Sequence, residues 1–316
     1  MDKRVIVLLS LIIFCTGLQA QFDAQFSQYW ATKSYYNPSC VGETSGVNAL
    51  IINRQQWVGL SGAPRSLFAS ADLPFARWGK DQGIGIGLYK DEAGLFSNVS
   101  LGVNYAYKLN LMNGILSLGT QLGILSQSFD GTKVDLLGSS DEYHEGTDPY
   151  IPSTSVSGTA FDLGLGVNYT TDRYYAGLSV LHLLEPTIQF EKGSSKIGRT
   201  LFLTGGANFP MESYSTVLYP SALLKSDFNV VQAELTCRAE YKSRFWGGLS
   251  YRLKDAVVLM AGAKMKNISV GYAYDISTSK LGAVSGGSHE IFAAYSFDMQ
   301  FVSKSKRKYN KSLRFL

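Results

Sequence analysis

Three histidines (His144, His182, His289) and three cysteines (Cys15, Cys40, Cys237) are the whole stock of imidazole and thiol in this chain of 316 residues. The histidines stand in no arrangement with a Ser or Cys nucleophile and an orienting carboxylate, which acyl-transfer chemistry requires. No G-x-S-x-G, H-E-x-x-H or P-loop occurs. Gly83-Ile84-Gly85-Ile86-Gly87 lacks the following helix that a nucleotide site needs and reads as a glycine-rich strand. The expectation is therefore no enzyme and no cofactor. Between 127 and 155, Asp130, Asp135, Asp141, Glu142, Glu145 and Asp148 face Lys133 alone. Such carboxylates can supply oxygen ligands to Ca²⁺, but the EF-hand spacing is missing, so a solvated loop is expected and no metal site. The remaining charged group is Glu234, Arg238, Glu240, Arg244, Arg252 and Lys254, with Asp275, Glu290 and Asp298 further on. Their chemistry is ion pairing: with one another along an inner wall, or with a segment inserted against that wall.

The elements that must position these charges are strands. Val99, Leu101, Val103, Tyr105, Tyr107 and Leu109 alternate with Ser100, Gly102, Asn104, Ala106 and Lys108. Residues 161–169, 231–241 and 268–275 repeat the period of two that marks a strand. Fourteen such segments are expected, near 46–56, 65–74, 83–90, 96–109, 114–126, 156–170, 173–184, 199–209, 215–224, 228–241, 244–253, 256–264, 267–276 and 289–302. Connections after even strands are tight, with 75–82 the exception. Those after odd strands include the long ones, 127–155, 185–198 and 277–288. A sandwich has no reason to sort its loops this way, whereas a transmembrane barrel does.

Composition agrees. Aromatic residues make up 13%, glycine counts 32, charged residues are only 17% and mean hydropathy is zero. No segment after the first twenty residues approaches the roughly 20 apolar residues of a spanning helix. Aromatic strand ends such as Tyr105, Tyr169, Tyr174, Tyr272 and Tyr295 suit interfacial girdles. The fold expected is an all-β transmembrane antiparallel β-barrel of about 14 strands, with short periplasmic turns and longer extracellular loops. Met1-Asp2-Lys3-Arg4, the apolar run Val5–Cys15 and Leu18-Gln19-Ala20 read as a secretory signal with cleavage after residue 20. The expected organisation is signal 1–20, a periplasmic or lumenal segment 21–45, the barrel 46–302 and a tail 303–316. That tail holds Lys304, Lys306, Arg307, Lys308, Lys311 and Arg314 and no acid. In an exported protein it suits a membrane surface or a partner better than nucleic acid. Cys237 shares the apolar face of its strand and is expected toward lipid, so a disulfide to Cys40 is not expected. The many Gly, Ala and Ser on the inner face leave volume that water or protein must fill.

Before the barrel stand Gln25-Phe26-Ser27-Gln28-Tyr29 and Tyr36-Asn37-Pro38-Ser39-Cys40-Val41-Gly42. Then come Arg54-Gln55-Gln56-Trp57-Val58-Gly59, Gly62-Ala63-Pro64-Arg65 and Asp72-Leu73-Pro74. In order and spacing these motifs resemble the PorP/SprF family of type IX secretion system membrane proteins; Ser39-Cys40 departs from the small residues usual there. Beyond about residue 95 the resemblance is one of architecture and length. It implies an outer-membrane barrel that acts through protein contacts in one of two ways. One is a core component tied to periplasmic peptidoglycan-associated and ring proteins. The other is a dedicated partner in export or surface anchoring of a large adhesin of the gliding type, whose C-terminal domain would engage loops or lumen. The residues leave both open. Asn37-Pro38 reads as a turn initiator, Gly59, Gly62 and Pro64 as shaping the first outer loop, and Trp57 as an interfacial anchor. The partner-contact candidates are Trp57, Arg54 and Arg65, the tail residues Lys304, Lys306, Arg307 and Lys308, and the wall charges Glu234, Arg238, Glu240 and Arg252. The alternative function is a channel for small or apolar solutes.

Overall fold

Alternating segments with one apolar face cannot cross lipid singly, because each leaves a row of unpaired N–H and C=O groups; a closed sheet leaves none. The computed structural model describes residues 23–134, 152–191 and 193–297, and it has that closed form. Its wall consists of β1 (Val47–Gln55), β2 (Arg65–Arg77), β3 (Lys80–Ala93), β4 (Phe96–Leu111), β5 (Gly114–Asp130), β6 (Ser155–Thr171) and β7 (Tyr174–Leu181). It continues through β10 (Thr200–Ala207), β12 (Thr216–Ser226), β13 (Val231–Tyr241), β14 (Phe245–Arg252), β15 (Ala256–Met265), β16 (Ile268–Ser277) and β17 (Ser288–Phe297). Each pairs antiparallel with the next, and β1 pairs with β17 from Val47↔Phe297 to Gln55↔His289, closing fourteen strands. Two short strands, β8 (Thr187–Gln189) and β9 (Ser194–Lys196), form a hairpin in the loop after β7, and β11 (Phe209–Met211) extends the turn before β12.

The pleat sends Leu101, Val103 and Tyr105 outward and exposed, and Asn98, Asn104 and Lys108 inward and buried. This inverts a soluble barrel, as lipid outside demands. Residues 75–82 do not interrupt the loop parity: β2 and β3 run on to Arg77 and Lys80, and Trp78-Gly79 turns the chain tightly. Cys40 and Cys237 are not joined in a disulfide, the first being buried and the second exposed on the outer face. No helix among the described residues is long and apolar enough to cross a membrane.

The core lies in the lumen. Residues 23–45 run down the barrel interior from its long-loop end and join β1 at the short-turn end. On the way they form a single helical turn at Lys33–Tyr36 and a 3₁₀ turn at Pro38–Cys40. Phe26, Tyr29, Trp30, Tyr35 and Tyr36 pack against wall residues Phe68, Tyr89, Tyr175, Phe202, Trp246 and Phe292. The small-residue inner face is what makes room for this plug. A Cβ on Gly119 would stand 2.2 Å from Ser39 N, and one on Gly83 would stand 2.2 Å from Val41 O. Above the plug, the β8–β9 hairpin tucks Ile188 against Leu125 of the inner wall.

Candidate functional site

A wall lined with buried charge must find counter-groups, since an unpaired ion out of water is costly. The plug supplies them. The Ser27 hydroxyl accepts from Arg54 Nη1 at 2.8 Å and Arg252 Nη2 at 2.9 Å, and donates to the Asp275 carboxylate at 2.7–2.8 Å. One donor and two acceptor sites are all a hydroxyl has, so Ser27 is saturated. Glu290 accepts the backbone N–H of Ser27 and of Gln28, each at 2.8 Å, one on each carboxylate oxygen. Gln25 Nε2 and Arg252 Nε both donate to Glu234 Oε2 at 2.8 Å. Arg54 bridges Asp275 at 2.7 Å and Glu290 at 3.3 Å, and Arg252 reaches Asp275 at 3.1 Å. Five wall side chains from β1, β13, β14, β16 and β17 thus clamp three plug residues, Gln25, Ser27 and Gln28, near the long-loop end.

Two further contacts hold the plug on either side of this clamp. Above it, His182 lies just past β7, outside the spanning strands, between Asp162 (Nδ1, 3.0 Å) and Asp23 (Nε2, 3.2 Å). Burial opposes the imidazolium. Asp23 outweighs it by charge and hydrogen bond, as does Asp162, and together they raise His182 to about 10. Burial likewise opposes the Asp23 carboxylate, but His182 and then Lys225 bring it down to about 2. Below the clamp, the Arg238 guanidinium lies 4.1 Å from the Trp30 ring centre and 4.5 Å from that of Tyr219, a cation–π contact strengthened by desolvation. At the foot, Asn37 accepts from Ser39 N at 3.0 Å and donates to Val167 O at 3.0 Å. Gly42 N donates to Asp72 at 2.8 Å, and Lys108 Nζ donates to Gly42 O.

The expected group of wall charges therefore divides. Glu234 and Arg252 meet Arg54, Asp275 and Glu290 in the clamp. Arg238 pairs with Glu240 at 3.5 Å lower down. Arg244 and Lys254 do not join: they stand exposed at opposite ends of β14. Arg54, Glu234, Arg238 and Arg252 are buried. What they touch in this structure is the chain's own plug and wall. Arg65 is exposed opposite Glu92. Trp57 follows the end of β1, half-buried, its N–H donating to Ser288 Oγ at 3.2 Å. Its loop, 56–64, borders an open hollow of about 400 Å³ at the long-loop end, with Val58, Gly59 and Gly62 on one side and Glu92 on the other. The signal segment 1–20, Asp298, most of the acidic loop, and Lys304, Lys306, Arg307 and Lys308 lie outside the described residues. No metal-holding group of His, Cys, Asp or Glu occurs among the described residues. Sequence reasoning missed Gln25, Ser27 and Gln28 as the ligands of the wall charges. The signal for them was an inner face with too many ions and too little volume of its own.

A closed sheet with its apolar face outward, its polar face inward and its own N-terminal segment in the lumen defines a plugged outer-membrane β-barrel. The description of type IX secretion system membrane protein PorP/SprF matches residues 18–295, and the chain belongs to that family. Comparison with curated proteins yields no match. Among solved structures, the CymD monoaromatic hydrocarbon channel is similar at a TM-score of 0.51 and 14% identity, covering 90% of this chain and 96% of that one. Omp33 of Acinetobacter baumannii gives 0.48 at 6% identity, over 81% and 100%. A Pseudomonas aeruginosa FadL homologue gives 0.48 at 11%, over 84% and 94%. At 14% identity the likeness to CymD is one of fold alone.

Proposed function

We propose that this barrel serves type IX secretion through protein contacts at its two exposed ends, in export or surface anchoring of large gliding-type adhesins, and passes no solute. The observation that carries the reading is the filled lumen. The plug, residues 23–45, is held by hydrogen bonds to buried wall charges, and cavities against it, such as those beside Trp30 and Tyr35, hold only about 10–30 Å³, room for about one water each. A barrel so built offers surface rather than passage. On the long-loop side, the hollow beneath loop 56–64, with Trp57 and Arg65, is the surface for an exported C-terminal domain. On the short-turn side, the turns and the basic tail face periplasmic ring and peptidoglycan-associated components.

The test is retention of surface protein in cells carrying Trp57→Ala or lacking 303–316, combined with crosslinking from a tag in an outer loop. Loss of a large surface protein, with that protein or the periplasmic components captured, supports the reading. Normal surface protein in both variants, or solute-selective conductance of the intact barrel in planar bilayers, refutes it.

A further inference from the structure

At the short-turn end, the β13–β14 turn carries Lys242 and Arg244, and the β15–β16 turn carries Lys266. These turns are neighbours: Lys264 N donates to Arg244 O at 2.6 Å, placing Lys264 between them. Lys242, Arg244 and Lys266 are exposed, and no ion pair among the described residues includes them. The neighbouring acids are Glu240, facing Arg238 in the wall, and Glu212 on the adjoining turn.

The same turns carry exposed apolar side chains, Phe245 at 62%, Met265 at 71% and Ile268 at 49%. From these the outward faces of β14 and β16 continue toward the other end through Leu249 and Val270, both exposed. Cations at the tips of strands whose flanks are lipid-facing lie where headgroup phosphates lie. At the far ends of these four strands the exposed bases Lys254 and Lys280 share their turns with Asp227 and Asp255, so the charge there is mixed.

We infer that the β13–β16 rim is a binding site for an anionic phospholipid of the short-turn leaflet. Its phosphate lies among Lys242, Arg244 and Lys266, and its acyl chains along Phe245 and Ile268. A base near a charged membrane surface adds roughly fivefold to affinity. Neutralising three should then weaken binding by on the order of a hundredfold.

The experiment is native mass spectrometry of the full detergent-solubilised barrel titrated with phosphatidylglycerol or phosphatidylcholine. The variant is Lys242→Asn, Arg244→Gln, Lys266→Asn. Asparagine is chosen at 242 and 266 because both have left-handed backbone, φ 49° and 53°. The wild type should retain phosphatidylglycerol preferentially, and the variant should lose that preference while keeping its heat-modifiable migration. The control Lys90→Gln, Lys133→Gln, at the other end, should keep it. A conservative Lys242→Arg, Lys266→Arg variant should also keep it, and serves if the triple variant fails to fold. Equal retention of the two lipids by the wild type overturns the inference, as does an unchanged preference in the triple variant. Binding of a polyglutamate peptide but not of lipid at these bases also overturns it, in favour of an acidic protein.

Discussion

Replacing Arg54 by Met tests whether the clamp is what keeps the plug in place. Arg54 is fully buried and meets Asp275, Glu290 and Ser27 within 3.3 Å. Its loss leaves two carboxylates short of a cation with the plug still over them, and breaking a buried pair on one side costs about 3–5 kcal/mol. With the plug withdrawn, water reaches those carboxylates and the penalty disappears. The cost therefore falls on the plugged state, and the withdrawn population should rise roughly 150- to 4500-fold. Cys40, a buried thiol on the plug itself, reports that population. In a Cys237→Ser background, with the outer-face thiol gone, maleimide labels Cys40 at a rate proportional to the withdrawn fraction when reclosing is fast. Arg54→Met should accelerate labelling by about two to nearly four orders of magnitude. Arg54→Lys, which keeps the charge and loses the planar fork, should fall between. Labelling within threefold of wild type in a barrel that still shows heat-modifiable migration would refute the clamp.

His182 gives the plug a dependence on pH. Its folded value, about 10, lies above the unfolded 6.5. Its contribution is therefore complete below pH 6.5, declines as pH rises and is gone above about 10. The wild type should lose thermal stability relative to His182→Asn across that window in gel-shift melting, and parallel curves would count against it. Gly119→Ala puts a methyl 2.2 Å from Ser39 N; since backbone cannot yield as a side chain does, the melting midpoint should drop or Cys40 should become labelled, and an unaffected barrel would deny the close approach. Deleting residues 23–42 should turn a silent barrel into a conducting one in planar bilayers, given the lumen those residues fill. Arg238→Met keeps the volume over Trp30 and Tyr219 but removes the cation–π contact and leaves Glu240 short of its partner; a melting midpoint unchanged from wild type would show that contact to be idle.

The strands were legible because their signal is local. Six alternating residues of β4 suffice to orient it, and loop parity then gives the closed fold. The plug is legible only as one of two alternatives, a periplasmic or a lumenal segment 21–45, because a segment that is buried all round has no period to fix its path. Gln25-Phe26-Ser27-Gln28-Tyr29 therefore stands out as a motif without assigned contacts. The clamp was half legible. Its wall charges share a face and were grouped from spacing, but Ser27 reaches Asp275 and Glu290 across nearly the whole chain. Arg244 and Lys254 were grouped with them wrongly, since they fall beyond the ends of β14, where the inner face no longer continues. The β8–β9 hairpin within 185–198 also went unread, its strands of three residues each being too short to show alternation.

The route of the plug sets an order of assembly. The wall closes where Val47 meets Phe297, the first wall residue against the last one described, so the seam zips only when every strand between is in place. The segment that precedes Val47 runs back through the space that seam encloses. A wall that curls around a segment already lying against it buries Trp30, Tyr35 and Tyr36 in the act of closing, as a sheet is rolled on a mandrel. The sequence Gln25–Tyr29 then acts first as a template that gathers β1, β13, β14, β16 and β17, and only later as the stopper of a finished vessel.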